Sequence, residues 1–150
     1  MRWEQFEAEM SLTLKRLKGT SMRVEDGGRV AKNRQLCDFL YWDGDGHTFA
    51  IECKATKGKS LPWKNIAEHQ LDDLVEFSSM HPSHIALFAI NYYDEKLCEC
   101  VLIEARKLKE YKETHDRKSL HLDDALEIGT RLIPERESGR RFWTLRRRDK

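Results

Sequence analysis

The sequence predicts an α/β fold in which helices flank a mixed central sheet, and three observations carry that prediction. Apolar residues recur at helical spacing in two well-separated segments. The turn-forming stretch "DGDG" at 43–46 joins two β-rich runs. The run "HIALFAINYY" at 84–93 is almost unbroken in its apolar character, as expected of a strand covered on both faces. Helix, hairpin, helix and further strands in that order suit a sheet with helices packed on it.

Each element has its own signal. Trp3, Phe6, Met10, Leu14 and Leu17 put one apolar stripe on a helix over 3–18, with Gly19 as its stop. "EDGGRVAKNRQ" reads as a basic loop with room for a short strand. "LCDFLYW" is a strand carrying one acid, Asp38, and "HTFAIECKA" is its return partner beyond the Asp-Gly turn. A lysine-rich loop follows, closed by Pro62. Ile66, Ala67, Leu71, Leu74, Val75 and Phe77 then share a helical face, with Asn65 as the N-cap. "LCECVLIEA" pairs with the 84–93 strand through the "DEK" turn, "RKLKEYK" is a short helix, and "RRFWTL" is a last strand. The chain reads as one domain over 1–150 with a basic C-terminal tail at about 140–150.

Composition narrows the class. The 150 residues are 39% hydrophobic and 35% charged, and the apolar ones are clustered, which excludes a disordered chain. A formal net charge of +1 means that nucleic-acid affinity must come from local patches. No run approaches the ~18 apolar residues of a membrane span, and "MRWEQFEAEM" has no apolar signal region, so no membrane partner is expected. Cys37, Cys53, Cys98 and Cys100 form no Cys-x-x-Cys pair and read as reduced thiols of a cytoplasmic protein.

The chemistry concentrates on the hairpin. Side chains alternate along a strand, so Glu52 and Lys54 share one face while Phe49, Ile51 and Cys53 take the other. Asp38, read as sharing a face with Leu36, Leu40 and Trp42, approaches Glu52 if the register is right. Two neighbouring carboxylates repel unless a cation lies between them. Mg²⁺, a hard ion that keeps much of its water, is the economical partner, with Mn²⁺ as a possible substitute. Such an ion activates water and offsets phosphate charge, and an adjacent lysine can hold the attacking water. Glu7 borders the Phe6–Met10–Leu14 stripe and can turn toward the sheet edge. Gln70 lies within the apolar stripe of its helix and needs polar partners. Taken singly, each has a plainer reading: a cross-strand surface pair for Glu52 and Lys54, a helix-surface acid for Glu7, a boundary amide for Gln70. Glu110 and Lys112 repeat the Glu-x-Lys pattern inside a charged run and read as a solvated face.

The stretch "CDFLYWDGDGHTFAIECKATKGKSLPWKNIAEHQLDDL" resembles the PD-(D/E)xK nuclease superfamily and, more narrowly, the RecU-type Holliday-junction resolvases. The resemblance rests on Asp38, on Glu52-Cys53-Lys54, on the "ATKGKSLP" loop and on Glu68-His69-Gln70 opening a helix. It continues through "LIEARKL" and "DRKSLHLDDALEIG" and so spans roughly 36–133. "FEAEM" is similar to the helix bearing that family's first acid, placed here on Glu7 with Glu4 as the competing choice. The resemblance implies a restriction-endonuclease-like fold and a Mg²⁺-dependent endonuclease of bacterial or phage origin that leaves a 5′-phosphate. Asp38, Glu52 and Glu7 would be metal ligands, with Lys54 and Gln70 completing the catalytic set. The family also carries a long stalk before the Asp38 strand, where this chain has only "GTSMRVEDGGRVAKNRQL".

Branched or duplex DNA is the expected partner. Lys57, Lys59 and Lys64 cluster beyond the site, and Arg23, Arg29, Lys32 and Arg34 precede the hairpin, so both groups could line one phosphate-binding groove. Two near-symmetric cuts imply a C2 homodimer. Two rival readings keep the fold. One is a repair or restriction-like nuclease on duplex, flap or end substrates, and the other is a DNA-binding module without catalysis.

Overall fold

The computed structural model describes residues 2–24 and 35–145. Arg29, Lys32 and Arg34, expected to contact DNA, lie outside the described residues, as does the stretch beyond 145. A seven-stranded sheet runs in the order β1-β2-β3-β5-β6-β8-β9. Its strands are β1 (Thr20–Arg23), β2 (Phe39–Trp42), β3 (Thr48–Lys57), β5 (His84–Tyr93), β6 (Cys98–Glu104), β8 (Thr130–Glu137) and β9 (Arg140–Leu145). Among the described strands only β3 and β5 pair in parallel, with Glu52 opposite Phe88 and Lys54 opposite Ile90. The sheet is therefore mixed, as expected. A separate two-stranded ribbon pairs β4 (Ser60–Pro62) with β7 (Ser119–His121).

Each face of the sheet has its own apolar layer. On one side α1 (Arg2–Lys15) sets Phe6, Met10 and Leu14 against Phe39, Tyr41, Ile51, Cys53 and Trp143. On the other, α2 (Glu68–Met80), α3 (Ala105–Thr114) and α4 (Leu122–Ile128) cover Ala50, Phe88, Ile90, Val101 and Ile103. The alternation in β3 follows directly: Ile51 and Cys53 face α1, while Ala50, Glu52 and Lys54 face α2. The Asp-Gly hairpin forms as expected. Gly44 and Gly46 adopt φ of 83° and 95°, and Asp43 Oδ1 accepts from the backbone N–H groups of Asp45 and His47.

Several elements differ from the sequence-based expectation. Asp38 lies in a bend before β2, because its side chain, not its backbone, takes the next ladder position on β3. Cys37 consequently joins the same core as Ala50, breaking the expected alternation. Helix α2 begins at Glu68, not behind Asn65, since Trp63–Asn65 form a 3₁₀ turn and Ala67 is the N-cap. The lysine segment is not all loop: β3 runs to Lys57, and a tight turn at Gly58 (φ 90°) leads straight into β4. The segment from 20 to 23 is an edge strand paired to β2. The last strand expected from "RRFWTL", by contrast, forms as β9 and pairs with β8. No helix among the described residues is long and apolar enough to cross a membrane, and the cysteines are free.

Candidate active site

Three elements bring the predicted site residues together. The β2–β3 pairing places Phe39 opposite Ile51, and the Asp38 N–H donates to the Ile51 carbonyl at 3.0 Å. Asp38 Oδ2 then accepts from the Cys53 N–H at 2.8 Å, which locks the carboxylate beside Glu52. Glu52 is buried, at 6% exposure, and its Oε2 accepts from Gln70 Nε2 at 2.9 Å. Gln70 Oε1 accepts from Lys54 Nζ at 3.0 Å, and Lys54 Nζ lies 3.4 Å from Glu52 Oε2. Glu52, Gln70 and Lys54 therefore form a closed triangle. With a cation on one side and a carboxylate on the other, only one orientation of the amide satisfies both. Gln70 Oε1 also accepts from the Ala67 N–H at 3.3 Å, so the side chain that organises the site also closes the start of its own helix.

Glu7 reaches the same neighbourhood from α1. It is buried, and its Oε1 accepts from the Arg23 guanidinium at 2.8 Å. Burial raises the Glu7 carboxyl above its ordinary pKa, repulsion from Asp38 adds to this, and Arg23 opposes it. Burial also pushes Glu52 up, to about 8, with Asp38 again the repelling neighbour and Lys54 the opposing charge. Asp38 is thus the acid shared by the other two. The three side chains do not close into a cage: among the described residues no group of three or more His, Cys, Asp and Glu side chains is gathered tightly enough to enclose an ion. Hard carboxylate oxygens whose charges repel one another, in an open arrangement, are nevertheless the donor set of a cation that keeps several waters. Asp38, Glu52 and Glu7 are the residues that could hold it.

The expected phosphate contacts divide. Lys57, Lys59 and Lys64 are exposed; Lys57 ends β3 and the other two follow it closely. They are held by more than a loop. Thr56 Oγ1 donates to the Ser60 carbonyl at 2.9 Å, and the Leu122 N–H donates to the Lys59 carbonyl at 2.7 Å. The Trp63 N–H donates to the Lys118 carbonyl at 3.0 Å, so the β4–β7 ribbon and the residue before it hold this segment as well. Arg23, expected beside them, lies on β1 with its exposed guanidinium paired to Glu7. Sequence reasoning missed this pairing and the contribution of β7. The strand holding Arg23 is four residues long and mostly exposed, and β7 has three residues, so neither offers a periodic signal. His69 is exposed and makes none of the site's hydrogen bonds described above.

A mixed sheet that carries an acid before β2, Glu-x-Lys on β3, and an inward acid and amide on the flanking helices defines the restriction-endonuclease-like, PD-(D/E)xK class of fold. Among solved structures, the chain is similar to Hjc of Archaeoglobus fulgidus, a Holliday junction resolvase from an archaeal hyperthermophile. The TM-score is 0.56 at 18% identity, over 85% of this chain and 92% of that one. A search of curated proteins finds no match. The family model described as RecU, Recombination protein U, matches residues 29–137, and the chain belongs to that family. The matched segment contains Asp38, Glu52, Lys54 and Gln70, whereas Glu7 precedes it.

Proposed function

We propose that this chain is a metal-dependent endonuclease that resolves Holliday junctions, with Mg²⁺, or Mn²⁺ in its place, held by Asp38, Glu52 and Glu7. The observation that carries the reading is the Glu52–Gln70–Lys54 triangle beside Asp38, in a chain of the RecU family. When bound, the ion supplies charge neutralisation at the phosphodiester and lowers the pKa of water. The protein supplies the geometry. Gln70 fixes the Lys54 ammonium, which donates a hydrogen bond to the attacking water and then faces the charge that builds on the pentacovalent phosphorus. Asp38 is held rigid by the Cys53 N–H, so its carboxylate needs no reorganisation. Lys57, Lys59 and Lys64 hold the strand by its phosphates, which gives affinity without sequence preference. In-line attack leaves a 5′-phosphate, and two chains in a C2 dimer make the paired cuts. The site chemistry and the β3–β4 lysines support this reading.

The test is cleavage of a mobile four-way junction by the parent, Lys54→Ala and Asp38→Ala proteins, with EDTA as control. Each substitution should lower the rate by about 10²-fold or more, and EDTA should abolish cutting. Parent-like cleavage by either variant sinks the assignment. One observation favours a second reading: β1 follows α1 and pairs directly with β2, so the segment between them is partly used as a sheet edge. A nuclease acting on duplexes, flaps or ends needs no more than that. Comparing linear duplex, flap and four-way substrates separates the two, since a resolvase cuts the four-way junction in preference.

A further inference from the structure

A cleft of about 480 Å³ opens between α1 and the β8–β9 hairpin, lined among others by Arg2, Gln5, Glu9, Arg136, Arg140 and Arg141. Four guanidiniums face one carboxylate there, leaving a net charge of +3. That carboxylate is already occupied. Arg2 bonds Glu9 at 2.8 Å, Trp143 Nε1 donates to it at 3.1 Å, and Arg141 approaches to 3.9 Å. The inner arginines are pinned in place. Arg2 Nε donates to the fully buried Asn91 at 2.9 Å, and Arg2 and Arg141 both donate to the Cys98 sulfur, at 3.7 and 2.9 Å. The outer pair is exposed, and Arg136 bonds the neutral carbonyl of Gly139 at 3.2 Å.

This cleft does not stand alone. A second cavity of about 390 Å³ shares Arg2 and Arg141 and is bounded on its other side by residues of the Tyr93–Cys98 turn. The same turn abuts the catalytic lysine loop: the Gly58 N–H donates to the Tyr93 carbonyl at 2.6 Å, and Lys57 is the β3 partner of Tyr93. Basic side chains therefore lie on both sides of this turn, Lys57 and Lys59 on one and Arg2, Arg141, Arg136 and Arg140 on the other, with Asp94, Glu95 and Lys96 of the turn between them. Four guanidiniums spread over two adjoining cavities suit a polyanion better than a single phosphate, and the planar guanidinium fork matches phosphodiester oxygens. Arg2, Arg140 and Arg141 all lie outside the family match at 29–137, so the cleft is built mainly from sequence that the family description does not cover.

We infer that this cleft is a second DNA-contact surface that holds the phosphodiester backbone of a duplex arm leading away from the cut. The inference rests on the nuclease reading for the identity of the polyanion. It is tested by binding, in EDTA so that nothing is cut, of the parent, Arg136→Ala/Arg140→Ala and Arg136→Lys/Arg140→Lys proteins. Duplexes of about 10 and about 25 base pairs are compared across a salt series. The parent should bind the longer duplex more tightly. The alanine pair should lose roughly tenfold on the longer duplex, and its salt slope should fall by about 2. The lysine pair should keep most of both. A poorly folded variant would lose active fraction without changing the slope, so the slope is the deciding quantity. Parent-like affinity and slope in the alanine pair overturn the inference. A parent that binds and shows the length effect, yet never cuts in Mg²⁺, overturns the nuclease reading alone. A parent that binds neither duplex overturns both.

Discussion

Gln70 is the residue on which the candidate site turns. Glu52 and Lys54 stand two apart on one strand as an ion pair at 3.4 Å, and Gln70 bridges the two. The amide keeps the ammonium at 3.0 Å from its oxygen while its nitrogen bonds the carboxylate at 2.9 Å. Gln70→Ala should therefore leave the fold intact and lower junction cleavage by about 10–100-fold, the usual cost of losing a partner that orients a reacting group. Parent-like single-turnover rates would refute that role. Glu52 makes a second prediction, about stability. Its folded pKa lies above the ordinary glutamate value because of burial and Asp38, so the folded state holds a proton that the unfolded chain releases. The stabilisation from that proton is complete below the ordinary glutamate range and is lost as pH rises toward the raised value. Metal-free protein should thus weaken between about pH 5 and about pH 8. Glu52→Gln should remove most of that slope and, near the upper end, stabilise by about 1–3 kcal/mol. Urea unfolding in EDTA at several pH values measures both effects, and an unchanged slope in the variant would contradict the assignment.

At the scale of elements, the site depends on how α1 is delivered onto the sheet. The chain leaves α1 and passes through Gly19 so closely to β2 that an added Cβ would lie 1.9 Å from the Trp42 carbonyl and 2.6 Å from the Tyr41 ring. The Gly19 N–H donates to the Tyr41 hydroxyl at 2.9 Å in the same contact. Gly19→Ala must push α1 or β2 aside. It should cost about 1–3 kcal/mol and, by shifting Glu7 relative to Asp38, lower activity as well; a thermal melt as stable as the parent's would show that the approach relaxes freely. The long elements were legible in the sequence because their periodicity reports burial. β3 sends alternate side chains to opposite faces, β5 is apolar but for His84 and Asn91, and the stripe of α1 sets Phe6 and Met10 into the core. So were Asp38, Glu52, Lys54 and Gln70, which stand out because charged and amide groups interrupt those patterns. What was not legible is short or locally contradictory. β1, β4 and β7 have four residues or fewer. β8 carries Pro134, tolerated because its described pairing with β6 ends at Leu132, so no β6 acceptor awaits the missing N–H there. The pairing of Arg23 with Glu7 spans an edge strand that tertiary contact creates, and no local propensity announces it.

At the scale of the whole molecule, the metal-free protein and the proposed loaded one differ in how the charge of the site is balanced. Without a cation, Glu7 and Glu52 are eased by protons and by Arg23 and Lys54. A divalent ion at the same oxygens would replace the protons, so binding should release them and strengthen as pH rises. A ligand that binds only the folded state stabilises it by RT ln(1 + [L]/Kd), about 2.7 kcal/mol at a hundredfold excess over Kd. The expectation is a Tm that climbs with Mg²⁺ in the parent, more steeply at about pH 8 than at about pH 6, because fewer protons must then be displaced. Asp38→Ala removes the acid shared by the other two and should abolish the climb at both pH values. Lys54→Ala should keep the climb, since it removes the group assigned to the water and leaves the carboxylates in place. That difference separates two roles which activity measurements merge, because both variants are expected to stop cutting. A climb of equal size in the parent and Asp38→Ala proteins would mean that the ion binds elsewhere, and the assignment of the three carboxylates would fall with it.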